Sequence, residues 1–391
     1  MPSAEEDAAA LAELLARSAA TRDLAAKIDA FVTKLKRRRF DSSMELTRET
    51  LYFVRLLVHA KSRWASPLEL LQVIRAFGRR LVKARPVELV VGNVFRRVIH
   101  SVKEEYFNML KEQNRETPEP VQDESASNDS DSYIDPDSLD PKDSLLPSRE
   151  IGLHDISFAG ERAGWNLRGE ISEAIDEMLS ELENVAEPIS KQALEHIHAD
   201  DVVLVYGDSG TVEVFLTAAK RKRNFKVIVA EAAPEFSGHR MANKLSALGI
   251  PTVLISDSAI FAMMARVNKV IIGTHAVMAN GGLIAAVGAH LVGEAAKVHS
   301  VPVLCVTGLY KLCPLFPYNL DAFIDLKSPG PTSAYADLGG ASDLVQVVSP
   351  SFDYVPPDLV SLFITNTGGH QPSYIYRLLS EYYDINAEEE L

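Results

Sequence analysis

The sequence predicts an α/β protein: an N-terminal helical bundle followed by a doubly wound, mainly parallel sheet. Three observations predict it. Before about residue 115, apolar residues recur at the 3.6-residue spacing of amphipathic helices. After about residue 200, short β-branched runs without polar alternation are separated by helical segments, the mark of strands buried on both faces. Between the two lies an acidic stretch rich in Ser and Pro. At 391 residues and 47% hydrophobic, the chain can bury one large or two ordinary cores.

In the N-terminal part, 1–114, Ser66-Pro67-Leu68-Glu69 reads as a capping box with proline at the first helical position. Leu70, Leu71, Ile74, Phe77 and Leu81 follow at helical spacing and give that helix one buried face. A later helix runs from near Val87 to Leu110. Val91, Val94, Val98, Val102 and Met109 mark its apolar stripe, and Arg96, Arg97, Lys103 and Glu104 its polar side. Between Glu116 and Pro147, ten Asp or Glu stand against the single basic Lys142. The segment 115–149 therefore reads as a disordered, self-repelling linker, because it cannot bury enough apolar surface to offset its ordering entropy. The stretch Glu116–Pro147 carries a net −9 of the chain's −14, so the acidity is largely a linker property.

Residues 150–199 read as a helical connector packing on the N-terminal domain, with Ile171, Ile175, Met178 and Leu182 on one face. From 200 to 391 the expected strands are Val202–Tyr206, Lys226–Ala230, Thr252–Ile255, Val270–Gly273, Val303–Val306 and Leu362–Thr365. Strands of this kind alternating with helices make a Rossmann-like domain, whose ligands sit at the carboxyl ends of the strands.

Composition narrows the function. No apolar run approaches the roughly 18 to 20 residues that a membrane helix needs, and Met1–Ala10 lacks the basic region of a signal peptide, so the expected location is the cytoplasm. Cys305 and Cys313 have no metal-type or disulfide spacing, so neither a zinc site nor a disulfide framework is expected. The charge of −14 opposes general nucleic-acid binding and favours basic protein partners.

Candidate site residues follow from the strand ends. Gly207-Asp208-Ser209-Gly210-Thr211 is a glycine-containing turn into a helix N-terminus, where free N–H groups could hold an anion. Glu231-Ala232-Ala233-Pro234, Gly273-Thr274-His275 and Ala279-Asn280-Gly281-Gly282 should converge beside it. A nucleophilic set of His275, Asp257 and Cys305 is the sharp reading; a strand-buried thiol and a hydrogen-bonded structural histidine are the plain one. The basic runs Lys34–Arg39 and Lys220–Arg223 close helical segments and read as solvated helix ends. Glu173, Glu177 and Glu181 recur every fourth residue and form an acidic helix face, either simply solvated or a docking strip for a basic partner.

Five stretches now stand together: ARPVELVVGNVFRRVIHSVKEEY (84–106), QALEHIHADDVVLVYG (192–207), KVIVAEAAPEFSGHRMA (226–242), RVNKVIIGTHAVMANGG (266–282) and FDYVPPDLVSLFITNTGGHQPSYIYRL (352–378). They resemble the family of initiation factor 2B alpha, beta and delta subunits, and RVNKVIIGT, EAAP, FDYVPP and SYIYRL resemble its beta branch most. The resemblance covers all but the first 25 or so residues and the acidic stretch. It implies a noncatalytic regulatory core subunit of the guanine-nucleotide exchange factor for translation initiation factor 2. Such a subunit scaffolds the complex and senses phosphorylation of the substrate's alpha subunit, exchange itself belonging to the epsilon subunit. The implied partners are the alpha, delta, gamma and epsilon subunits, two copies of each subunit in the complex, and initiation factor 2, chiefly its alpha subunit. No cofactor or metal is implied. Glu173, Glu177 and Glu181 would meet the basic loop of that alpha subunit. The family's small-molecule site at the beta–delta junction falls at Asp200, Val202, Lys226, Ile228, Val253 and Ile255, with Lys226 and Val253 departing from the animal pattern.

The C-terminal domain is also similar to methylthioribose-1-phosphate and ribose-1,5-bisphosphate isomerases. Those enzymes carry a cysteine after the first strand, an aspartate completing Asn-Gly-Asp, and an arginine in Glu-Thr-Arg-Pro. The resemblance places these at Gly207, Gly282 and Ala233, none of which can titrate, while Arg85-Pro86 persists. Proton transfer between sugar carbons needs groups that give and take protons, so no isomerase activity is expected. The alternatives are an isomerase with displaced catalytic groups and a metabolite-binding module using the turn Gly207–Thr211.

Overall fold

The computed structural model describes residues 19–40, 42–60, 67–116, 168–334 and 344–383. The expected cap Ser66, the N-terminal Met1–Ala10 and residues 117–149 of the acidic stretch lie outside the described residues.

Helices α1 (Ala19–Lys36), α2 (Ser43–His59), α3 (Pro67–Ala84), α4 (Leu89–Glu116) and α5 (Arg168–Asn184) form the first layer around one shared core. Ser42 caps α2 by accepting the Glu45 N–H at 3.2 Å. Pro67 opens α3, where its missing N–H costs nothing. Leu70, Leu71, Ile74, Phe77 and Leu81 are all buried as the spacing predicts, and Phe77 meets Phe95 edge to face at 5.3 Å. Arg85-Pro86 ends α3, because a residue before proline is steered out of the helical region.

The apolar stripe of α4 is buried at Val91, Val94, Val98 and Val102. Lys103, expected on its polar side, is buried too. The reason is enclosure: α2, α3 and α5 all pack on α4, so little of its circumference meets water, and a lysine's methylene stem is readily covered. α5 turns Ile171, Ile175, Met178 and Leu182 inward, the first three into the same core. α6 (Ala186–His196) then leads to the sheet.

The main sheet contains β1 (Val202–Tyr206), β2 (Lys226–Ala230), β3 (Thr252–Ile255), β4 (Lys269–Gly273), β7 (Val303–Val306), β9 (Leu362–Thr365) and β10 (Gly368–His370). Its order is β10-β9-β7-β4-β1-β2-β3, parallel throughout except for the antiparallel β9–β10 pair. The chain builds outward from β1 to β3, then returns to the other side of β1 at β4. This reversal makes the β1/β4 carboxyl ends the switch point, the usual ligand crevice of such sheets.

Alternate residues serve the two faces. Val203, Val205, Val227, Val229, Ile271 and Leu304 pack under α6, α7 (Gly210–Lys220) and α8 (Ser237–Ala247). Leu204, Ile228, Val270, Ile272, Cys305 and Phe363 pack under α9 (Ile260–Met264), α10 (Ala289–Val298) and α11 (Ile375–Tyr382). A second, antiparallel sheet of β5 (Ala276–Val277), β6 (Leu283–Ala286) and β8 (Phe352–Val355) stands at the carboxyl end. The sequence reading did not contain this sheet or β10. Among the described residues no helix is long and apolar enough to cross a membrane.

α8 lies so close to the end of β2 that a Cβ at Gly238 would sit 1.9 Å from the Ala230 carbonyl oxygen. Gly238→Ala is therefore expected to destabilise the chain by about 1–3 kcal/mol or more, read as a lower midpoint of urea unfolding.

Candidate functional site

The crevice at the switch point is furnished with the chain's own side chains. Gly207 follows β1 with φ 75°, a left-handed turn that suits glycine, and a Cβ there would have room, the nearest atoms lying at 3.7 and 3.8 Å. Across the crevice a Cβ at Gly273 would lie 2.4 Å from Ser209 Oγ, so the seryl hydroxyl already fills that side. Asp208 turns its carboxylate to Arg240 at 3.2 Å and Lys244 at 3.0 Å. The turn expected to hold an anion thus carries an anion of its own.

Gly282 is more constrained. A Cβ there would meet the Tyr354 hydroxyl at 2.5 Å and its ring carbons at 2.6 and 2.8 Å. Tyr354 accepts the Asn280 Nδ2–H at 2.7 Å, and Asn280 Oδ1 accepts the Gly282 N–H at 3.0 Å. The ring of Tyr354, on β8, occupies the space that a side chain at 282 would need. Ala233 sits in a turn held by Asp257, whose two carboxylate oxygens accept the Ala232 N–H at 3.0 Å and the Ala233 N–H at 2.7 Å. Asp353 does the same for α10, accepting the Gly288 and His290 N–H groups at 3.3 and 3.2 Å.

His275, Asp257 and Cys305 are each engaged elsewhere, so the structure does not assemble them into a relay. The His275 side chain is 10% exposed, stacked on Phe352 at 4.3 Å, and donates Nε2–H to the Val87 carbonyl at 3.1 Å, with Glu88 3.5 Å away. Burial holds its pKa below the ordinary 6.5 against the pull of Glu88. Cys305 lies inside β7 with its thiol pushed up to about 12 by burial, far from a nucleophile's range. The surviving Arg85 is taken by Glu88 at 3.0 Å and Asp325 at 3.2 Å, and Arg38 joins Asp325 at 2.5 Å.

Sequence reasoning missed Lys311. It is buried, donates to the Thr274 carbonyl at 2.8 Å, and is lowered to about 8 by burial. A lone cation in the apolar run VPVLCVTGLYKLCPLF was the available signal. Arg38 was also missed as an inter-layer contact, since the basic run Lys34–Arg39 reads locally as a helix end. Among the described residues no group of three or more His, Cys, Asp or Glu could hold a metal.

On α5, Glu173 and Glu177 are exposed, whereas Glu181 is half-buried and held by Arg97 at 2.5 Å and Asn366 at 3.3 Å. Of the six positions of the expected small-molecule site, Asp200, Val202 and Lys226 lie at the amino ends of β1 and β2, Ile228 and Val253 lie within their strands, and Ile255 is the last residue of β3. Val202 pairs with Lys226, and Ile228 with Val253. Ile228 is buried, Val202 and Ile255 half-buried against the α9/α10 side, and Asp200 and Lys226 exposed. Beyond them, edge strand β3 leaves Val253 50% and Leu254 45% exposed, and Phe261 on α9 is 55% exposed.

Residues 39–372 match the Initiation factor 2 subunit family. The chain is 42% identical to translation initiation factor eIF2B subunit beta of Dictyostelium discoideum over 380 residues, which is 91% of this chain and 95% of that protein. A chain in the crystal structure of the tetrameric eIF2B-beta2-delta2 complex from C. thermophilum superposes with a TM-score of 0.65 at 28% identity, covering 92% of this chain and 95% of that one. Similarity extends to ribose 1,5-bisphosphate isomerase of Pyrococcus furiosus, 29% identical over 217 residues, 55% of this chain and 67% of the isomerase.

Two outcomes follow from the geometry. Gly282→Asp is expected to destabilise by about 1–3 kcal/mol, and Tyr354→Ala in the same chain to recover part of the loss; a double-mutant cycle of unfolding free energies measures the coupling. His59, His196, His275 and His370 all titrate below 6.5, chiefly through burial. The unfolded chain then binds more protons than the folded one, so stability is complete above about pH 6.5 and is lost as pH falls towards the folded values. Melting temperatures between pH 7 and 5 should decline, and less steeply in His275→Asn.

Proposed function

The chain belongs to the Initiation factor 2 subunit family, and from that premise we propose that it is a noncatalytic regulatory subunit of a translation initiation factor assembly, the guanine-nucleotide exchange factor for initiation factor 2. The observation that carries the noncatalytic reading is the crevice: Gly207 and Gly282 stand where related isomerases hold a cysteine and an aspartate, Ala233 where they hold a phosphate-binding arginine, and at Gly282 the Tyr354 ring stands in the way. Exchange chemistry then resides in another subunit, and this chain contributes surfaces.

Two surfaces fit that role. The amino ends of β1, β2 and β3, with the apolar edge Val253, Leu254 and Phe261, are proposed to receive a delta subunit, and the same junction would hold a small molecule over Asp200, Val202, Lys226, Ile228, Val253 and Ile255. Half-exposed aliphatic and aromatic side chains clustered at a sheet edge are what an obligate interface covers. The alpha, gamma and epsilon subunits complete the proposed assembly, with two copies of each subunit, in the cytosol. Glu173 and Glu177 are proposed to meet a basic loop of the substrate's alpha subunit and so to sense its phosphorylation, since an added phosphate would repel them. Glu181 is tied to Arg97 and acts from behind that strip.

Co-expression with a delta subunit followed by native mass measurement tests the reading. The chain alone is expected to aggregate, and the pair to form a defined complex. Leu254→Glu should cut the recovered complex by about tenfold, the scale of a buried anchor at an interface. A monodisperse monomer indifferent to delta, or conversion of ribose 1,5-bisphosphate by the purified chain, would overturn it.

A further inference from the structure

A groove of about 350 Å³ runs between α4, α5 and α11 on the helical layer. Glu104, Glu177, Glu181 and Glu381 face it, with Arg97 and His100. Arg97 is committed to Glu181 at 2.5 Å and lies over the Tyr382 ring at 5.0 Å, and His100 is 3.4 Å from Glu104. Glu177 and Glu381 form no hydrogen bond or ion pair among the described residues. The groove therefore holds more carboxylate than cation.

Behind it lies a cavity of about 20 Å³ that shares Arg97, Met178 and Glu181 with the groove. Asn93 lines this cavity at 1% exposure. Its Nδ2–H donates to the Tyr310 carbonyl at 3.4 Å, which leaves Oδ1 a buried acceptor with no donor among the described residues. An unmet buried carbonyl is costly, and the space accepts one group the size of a water molecule. A primary ammonium has that size and brings three N–H donors.

We propose that cavity and groove together bind a linear aliphatic polyamine. One terminal ammonium enters the cavity and donates to Asn93 Oδ1 and the Glu181 carboxylate. The methylene chain crosses Met178, and the next cationic nitrogen lies among Glu177, Glu381 and Glu104. A compact divalent metal ion matches poorly, since it would strand the apolar wall between the two acceptor sets. The site shares Glu177 and Glu181 with the strip proposed above but does not rest on that reading.

Calorimetry of the full chain, alone or in its complex, with spermidine at about 0.15 M salt tests this, with butylamine and magnesium as comparators. The expected result is one saturable spermidine site, with butylamine weaker and magnesium unable to displace it at equal charge. Glu177→Gln with Glu381→Gln should weaken it by about tenfold, the sum of two modest charge contacts. Asn93→Leu should weaken it several-fold, and Asn93→Asp should tighten it. The exposed Glu177/Glu381 pair keeps the test decisive if Asn93→Leu fails to fold. Unchanged affinity in the Glu177/Glu381 variant would place binding elsewhere, on the acidic stretch Glu116–Pro147, and overturn the proposal. Unchanged affinity in both Asn93 variants would leave that oxygen to water and overturn it too, as would competition by magnesium.

Discussion

The turn between α3 and α4 is wedged against the carboxyl ends of the sheet, and the rest of the molecule is arranged around that contact. His275 donates to the Val87 carbonyl, Arg85 sits between Glu88 and Asp325, and Arg38 reaches Asp325 from the end of α1. Leu89 packs with Ala276 and Ile284 of the small sheet and with Met278 and Cys313 beside it. Arg85 and Asp325 are only 15% and 10% exposed, so their pairing is not the screened kind found at a surface. Removing one partner of such a buried pair costs about 3–5 kcal/mol, because the other charge is left without compensation. Helical layer and sheet are thereby held in one register by a cluster that tolerates little change.

That wedge explains the state of the crevice. In a doubly wound sheet the carboxyl ends at the switch point are open to ligands, and helix N-termini there attract anions. Here several polar groups are already served from within: Asp208 by Arg240 and Lys244, the Ala232–Ala233 turn by Asp257, and the start of α10 by Asp353. Lys311, the one buried cation described at these strand ends, spends a hydrogen bond on the Thr274 carbonyl and loses charge affinity through burial. Polar groups that could have bound a phosphorylated substrate instead stabilise the fold. The chain keeps the architecture of a ligand-binding domain and uses its polar inventory as mortar.

The six parallel strands were legible because each is a compact β-branched run with no polar alternation, and their bounds agree with the sequence reading to within a residue. The small sheet was not legible. Ala276-Val277 and Leu283–Ala286 are too short and too rich in alanine for a strand signature, and they are strands because β8 pairs across them. Gly368–His370 has no β propensity at all and is fixed by its pairing to β9. The glycine substitutions at the crevice could be read from the resemblance, but Tyr354 as the filler of the space at Gly282 could not, since 72 positions separate them. Lys103, Glu181 and Arg38 failed for the same reason: helical periodicity reports one face of one helix, whereas their burial and pairing are set by the second and third neighbours.

The exposed apolar surface of the sheet lies along a lateral edge, away from the crevice. β3 is the edge strand, and it carries aliphatic side chains half exposed on both faces. Natural proteins guard such edges with charge, proline, a bulge or a covering element. Here Pro251 precedes the strand and Lys226 lies one strand inward, so nothing within Thr252–Ile255 does the guarding. Roughly 25 cal/mol is gained per Å² of apolar surface removed from water, and an uncovered edge forgoes that gain while inviting unspecific pairing. The physically economical solution is another chain laid over the edge. In the proposed assembly a neighbouring chain would cover the β3 edge, while the crevice at the carboxyl ends is filled by the chain's own side chains.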